Sequence, residues 1–282
     1  MSEPKRYTLE VPGAVLHYDV RESSGAGLPV LLLVGAPMGA SGFAALAEQF
    51  ADRTVVTYDP RRTERSQRTD GEPPGSEPGE HAEDLRRLIQ ALGAGPADVF
   101  GSSGGAVNAL ALVARHPGLV RVLVAHEPPA GQVLPDREAV RAACAGIRET
   151  YQRSGYGPAM ATFIAMVSHS GPIPSGFPAQ PAPDPAAFGL PAHDDGSRND
   201  PLLGLHMTAC TGYQHDFGAL AAAPTRIVLG VGAQSGQMLP GRAAVAVAER
   251  LGTTPVIFPG GHNGFLTDPA GFATVLRTVL HG

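Results

Sequence analysis

The sequence predicts a doubly wound α/β fold with a mostly parallel sheet. Three observations carry this. Short, nearly continuous aliphatic runs recur along the chain, as expected of strands buried on both faces. Segments with helical spacing stand between them, which implies right-handed crossovers. The alternation is interrupted once, between about 128 and 224, where the reading is helical.

In chain order, residues 7–20 alternate apolar and polar side chains around Pro12 and Gly13, which reads as an edge hairpin. Residues 29–34 form a buried strand ending at Gly35. Residues 41–50 read as a helix with Ser41 as N-cap. A second strand at 54–58 leads into the polar stretch 59–80. Residues 81–92 carry Leu85, Leu88, Ile89 and Leu92 at helical spacing, with Gly93 behind them. A short strand at 98–101, a helix at 106–116 and a strand at 120–125 follow. The interruption predicts helices at 136–151, 157–167 and 201–217. Residues 171–200 are too rich in Pro and Gly for a helix or central strand, and read as a mobile loop. Strands at 226–231 and 255–258 and a helix at 270–280 close the chain. The expected division is a core of 1–128 and 224–282 with a helical cap of 129–223.

Composition bounds the function. The 282 residues are 43% hydrophobic and 17% charged, so a substantial core can form. A net charge of −5 argues against nucleic acid as the main partner. No apolar run is long enough to cross a bilayer, and MSEPKRYTLEV lacks the apolar stretch of a secretory signal. Cys144 and Cys210 belong to no CxxC pair. The expectation is a cytoplasmic chain with free thiols, a disulfide between the two remaining open. Abundant Ala, Gly, Pro and Arg fits a GC-rich bacterial genome.

The residues 101–105 read Gly-Ser-Ser-Gly-Gly and fit G-x-S-x-G with Ser103 at the centre. Ser102 does not fit, because its frame would need glycine at Phe100. A nucleophile on a sharp strand-to-helix turn needs small neighbours on both sides. The helix that follows aims its free N–H groups at developing negative charge. The plainer alternative is a tight turn whose glycines serve only packing. Among ten histidines, His262 stands out: it follows a strand and Gly260-Gly261, at the sheet edge where open α/β folds place ligands.

These segments resemble the α/β-hydrolase superfamily over nearly the whole chain. The resemblance rests on Leu31-Leu32-Leu33-Val34-Gly35-Ala36-Pro37, on Tyr58-Asp59-Pro60-Arg61-Arg62 through Arg65-Ser66, on the 101–105 turn, and on Pro259-Gly260-Gly261-His262-Asn263. It implies that Ser103 is the nucleophile and His262 the base. It places the oxyanion donors at the N–H of Gly104 and of Ala36, since Pro37 has none. Val34 replaces the histidine that normally supports that loop.

The family usually takes its acid from the loop after the strand that follows the cap. Here residues 217–248 contain no Asp or Glu, and Ser235 stands about where the acid is expected. Some relatives, certain haloalkane dehalogenases among them, use the end of the strand after the nucleophile helix. That position holds Glu127, before Pro128 and Pro129. The alternative is that Glu127 pairs with a cap arginine and the site is a Ser–His dyad. Asp216, Glu249 and Asp268 are the other carboxylates considered.

The expected activity is hydrolysis of an ester, thioester or lactone of a small apolar molecule through an acyl-enzyme on Ser103. Met38, Phe163, Met166, Met207 and Tyr213 are candidate pocket walls. No metal, nucleotide or flavin is implied, and the turn after Gly35 lacks G-x-G-x-x-G. Cofactor-free haloperoxidase or carbon–carbon bond hydrolysis would use the same triad. A non-catalytic ligand-binding protein on a hydrolase fold is the alternative from another class. The oligomeric state is open, a homodimer included.

Overall fold

The structure is a computed structural model. It describes residues 3–282 apart from 24, 26, 72–76, 179–181 and 192, so parts of the polar stretch and of the Pro-rich segment lie outside the described residues. The chain opens with β1 (Lys5–Val11) and β2 (Ala14–Arg21), the expected antiparallel hairpin. β3 (Leu31–Val34), a short helix α1 (Ala44–Ala47) and β4 (Val55–Tyr58) follow. A two-residue strand β5 (Gln67–Arg68), unforeseen in the sequence, pairs with β2. Next come α2 (Pro78–Leu92), β6 (Ala97–Ser102), α3 (Gly104–Arg115) and β7 (Val120–His126). Between β7 and the next strand lie α4 (Arg137–Ser154), α5 (Tyr156–Val167), α6 (Met207–Gly212) and α7 (Phe217–Ala222). β8 (Arg226–Gly232), α8 (Leu239–Arg250), β9 (Val256–Phe258), α9 (Gly264–Thr267) and α10 (Pro269–His281) complete the chain.

Among the described residues the strands form one sheet in the order β1-β2-β4-β3-β6-β7-β8-β9. β2 joins β4 antiparallel, and every pair from β4 to β9 is parallel. The side-chain period of two explains the aliphatic runs. Leu32 and Val34 pack on one face with residues of α2 and α3, while Leu31 and Leu33 pack on the other with residues of α1 and α10. Both faces are covered, so every position of β3 is buried.

Three expected elements differ. The helix at 41–50 is a 3₁₀ turn (Ala40–Phe43) followed by the four residues of α1. Ser41 lies inside that turn and caps nothing: its hydroxyl donates to Glu64 at 2.6 Å. The helix expected from 81 begins earlier, at Pro78, where a missing N–H suits the first turn. The helix at 201–217 is broken into a π-helix (Leu202–His206), α6 and the separate α7, which Asp216 caps by accepting from Ala219 N–H. Cys144 and Cys210 are free and buried. Among the described residues, no helix is long and apolar enough to cross a membrane.

Candidate active site

Ser103 sits where β6 turns into α3, with φ 55°. A non-glycine residue in that region is strained, and its backbone is held by donation of Ser103 N–H to His126 O at 3.0 Å. The neighbouring glycines are required by contact. A Cβ on Gly105 would lie 2.2 Å from Val34 O. A Cβ on Gly104 would lie 2.6 Å from Ala36 O, so the two expected oxyanion donors belong to touching backbones. The loop carrying Ala36 lacks the family's histidine, but it is anchored otherwise. The buried Asp59 carboxylate accepts from Ala40 N–H at 2.8 Å, and Arg65 Nε holds the same carboxylate at 2.6 Å.

Glu127 follows β7 at once, as Ser103 follows β6, and it too has positive φ, 47°. The parallel register pairs Ser102 with His126, so the two strained residues leave adjacent strand ends side by side. Glu127 is fully buried. Its Oε2 meets His262 Nδ1 at 2.6 Å. Its Oε1 accepts from Gly232 N–H at 2.8 Å and from the Ser235 hydroxyl. Burial alone would raise this carboxyl; the hydrogen bond from His262, the charges of the neighbouring imidazoles and the Ser235 hydroxyl outweigh it and hold it below the usual range. His126 is neutral well below pH 7, so the hydrogen-bond donors carry most of that effect near neutrality.

His126 itself is buried in an aromatic cage of Phe100, Phe258, Phe265 and Phe272. Neither ring nitrogen has a hydrogen-bond partner among the described residues, and burial pulls its pKa down to about 4. Its ring lies 6.3 Å from that of His262 in stacked orientation.

Ser103, His262, Ala36 and Gly104 line one cavity of about 440 Å³. Of the candidate walls, Met38, Phe163, Met166 and Met207 also line it. Tyr213 does not; its ring packs edge-on against His215, 5.0 Å away. No hydrogen bond joins the Ser103 hydroxyl to the His262 ring among the described residues, a gap that catalytic pairs often close only on binding. The other carboxylates stand apart. Asp216 and Asp268 cap α7 and α10, and Glu249 is exposed on α8. His206 and Cys210 also line the cavity and were not singled out from the sequence as walls. Their spacing of four and eight residues from Leu202 was the available signal. Among the described residues, no cluster of three or more His, Cys, Asp or Glu could hold a metal.

The profile of the alpha/beta hydrolase fold matches residues 29–269. The chain is 31% identical over 278 residues to the uncharacterized hydrolase YraK of Bacillus subtilis (strain 168), covering 97% of this chain and 95% of that protein. A thermophilic esterase from Thermogutta terrifontis superposes with a TM-score of 0.67 at 21% identity, over 99% of this chain and 98% of that one. The enol-lactonase from Burkholderia xenovorans LB400 gives 0.68 at 16% identity, over 98% and 100%. At those identities the solved structures speak to the fold, while the profile and the Bacillus relative speak to descent. Sheet order, the strained serine turn and the shared sequence together establish that the chain belongs to the α/β-hydrolase family.

Proposed function

We propose that the protein is a serine hydrolase acting on a carboxylic ester, thioester or lactone of a small apolar molecule. The observation that carries this is the 2.6 Å contact of Glu127 with His262 Nδ1, beside a cavity that also exposes the strained Ser103. Glu127 accepts a hydrogen bond from Nδ1–H and so leaves Nε2 as the basic nitrogen. Ser103 Oγ adds to the substrate carbonyl carbon while His262 Nε2 takes its proton. The oxygen of the tetrahedral adduct gathers negative charge opposite the N–H groups of Ala36 and Gly104. Collapse breaks the bond to the alcohol or thiol, which leaves with the proton from His262. Water, deprotonated by the same imidazole, then attacks the acyl-serine and releases the acid.

Residues 129–223 act as the cap in this reading. Phe163, Met166 and Met207 come from it and line the cavity that Ser103 also lines. The esterase and lactonase activities named for structural neighbours agree with the reading. A fluorophosphonate probe tests it. Wild-type protein labels and Ser103→Ala does not; an unlabelled wild type overturns the proposal. Turnover of p-nitrophenyl esters of rising chain length then sizes the acyl group.

A further inference from the structure

One wall of the cavity carries a polar group with no part in the steps above. The π-helix Leu202–His206 runs into α6, and Leu202, His206 and Cys210 line the cavity at four-residue intervals. One face of this stretch therefore looks inward. Its lower end rests on the reacting centre: a Cβ on Gly104 would meet Cys210 Sγ at 3.1 Å. His206 lies one turn farther along, about 6 Å of helical rise from Cys210. A π turn holds an extra residue and re-aims its side chains, and such turns recur at functional sites.

The chemistry of the walls narrows what His206 can meet. No Lys, Arg, Asp or Glu is among the described residues that line the cavity. Met38, Met166, Met207 and Met238 do line it, and their unbranched thioethers adapt to varied apolar shapes. His206 is itself only 3% exposed, and burial, with a lesser effect from Arg62, lowers its pKa to about 4. At neutral pH it is an uncharged hydrogen-bonding group in a chamber whose described lining carries no Lys, Arg, Asp or Glu. An ion entering there would lose its hydration with no counter-charge in that lining.

We propose that His206 is a specificity-determining residue that hydrogen-bonds an uncharged polar group on the acyl part of the substrate, about one helical turn from the reacting carbonyl. The walls around it exclude acyl groups that carry a charge at that position. This rests on the serine-hydrolase reading.

Three esters of matched length test it: p-nitrophenyl hexanoate, p-nitrophenyl 5-oxohexanoate and the p-nitrophenyl monoester of adipic acid. Wild-type kcat/KM is expected to favour the oxo ester over the hexanoate about tenfold, mostly through KM, and to fall about a hundredfold for the charged ester. His206→Leu abolishes the preference for the oxo ester, whose kcat/KM falls to that of hexanoate in the same variant. His206→Gln, which keeps a donor, retains part of it. A wild type without preference, or an equal loss on both neutral esters in His206→Leu, overturns the assignment and leaves His206 as a packing partner of His81, whose ring is 5.4 Å away. Should His206→Leu not fold, His206→Gln decides: a retained preference supports the proposal and a lost one overturns it. Fluorophosphonate labelling of Ser103 is read in each variant. Absent labelling in the wild type sinks the parent reading, whereas a labelled but unselective enzyme sinks only this one.

Discussion

Two neighbouring strand ends differ in what they bring to His262. β7 ends in Glu127, a buried carboxylate on a strained backbone, 2.6 Å from the imidazole. β8 ends in Gly232 and the loop to Ser235, which bring no charge but two donors to the same carboxylate. In the family the second end usually supplies the acid. Parallel strands stand about 4.8 Å apart, so moving the acid by one strand is a small displacement that a long side chain can absorb. In the proposed reading a carboxylate at Nδ1 orients the imidazole, and the chain position it comes from is secondary. On that reading the β8 loop keeps a share of the task, since Gly232 N–H and the Ser235 hydroxyl hold the Glu127 carboxylate.

That division of labour can be broken directly. Glu127→Gln keeps the shape of the group and removes its charge, and kcat should fall about 10³- to 10⁴-fold on a p-nitrophenyl ester. Turnover within a few-fold of wild type would refute the role given to β7. Restoring the family's usual arrangement is the next largest effect. Glu127→Ala combined with Ser235→Asp should recover about tenfold in kcat over Glu127→Ala alone, because the carboxylate returns from the adjacent strand end. No recovery would mean that the β8 loop has lost its reach to His262.

A third test concerns stability. His126 immediately precedes Glu127, and its pKa lies near 4 against 6.5 for an ordinary histidine. Between those values the unfolded chain binds a proton that the native chain refuses. The stability from keeping it neutral is complete above about 6.5 and is lost as pH falls toward 4. His126→Phe fits the aromatic cage and removes this dependence. Its melting temperature should drop a few degrees less than that of the wild type between pH 7 and pH 5, as calorimetry would show. An identical drop would place the acid sensitivity elsewhere, for instance at His81, His206 and His215, which are likewise buried and neutral. The smallest effect sharpens the role of β8. Ser235→Ala removes a hydrogen bond that helps hold the Glu127 carboxyl low. The acid limb of the kcat profile should move to higher pH, with about a threefold loss at neutrality. An unmoved limb would leave Gly232 as the sufficient anchor.

The parts of this site legible in the sequence are those written locally. Aliphatic runs with period-two packing marked the central strands, and small residues around Ser103 marked the turn. Glu127 stands out because no acid follows β8 and it directly follows the adjacent strand β7. The parts that were not legible depend on long-range partners. The segment at 41–50 opens as a 3₁₀ turn whose Ala40 N–H and Ser41 hydroxyl donate to Asp59 and Glu64, partners distant in sequence. The π turn before α6 leaves no periodic mark in a stretch of five residues. Tyr213 belongs to the same expected helical segment as Met207, but the break after α6 places its ring against His215.

The register that pairs Ser102 with His126 has a consequence for how this enzyme could diversify. Both Ser103 and Glu127 are encoded before the four helices between β7 and β8, and their spacing is set by two bonded strands. An exchange of those helices for ones of different length leaves that pair undisturbed. Only His262 and its loop must find their way back afterwards. If Ser103 and Glu127 serve as proposed, new tastes can thus be grafted onto a chemical engine whose first two parts are already assembled.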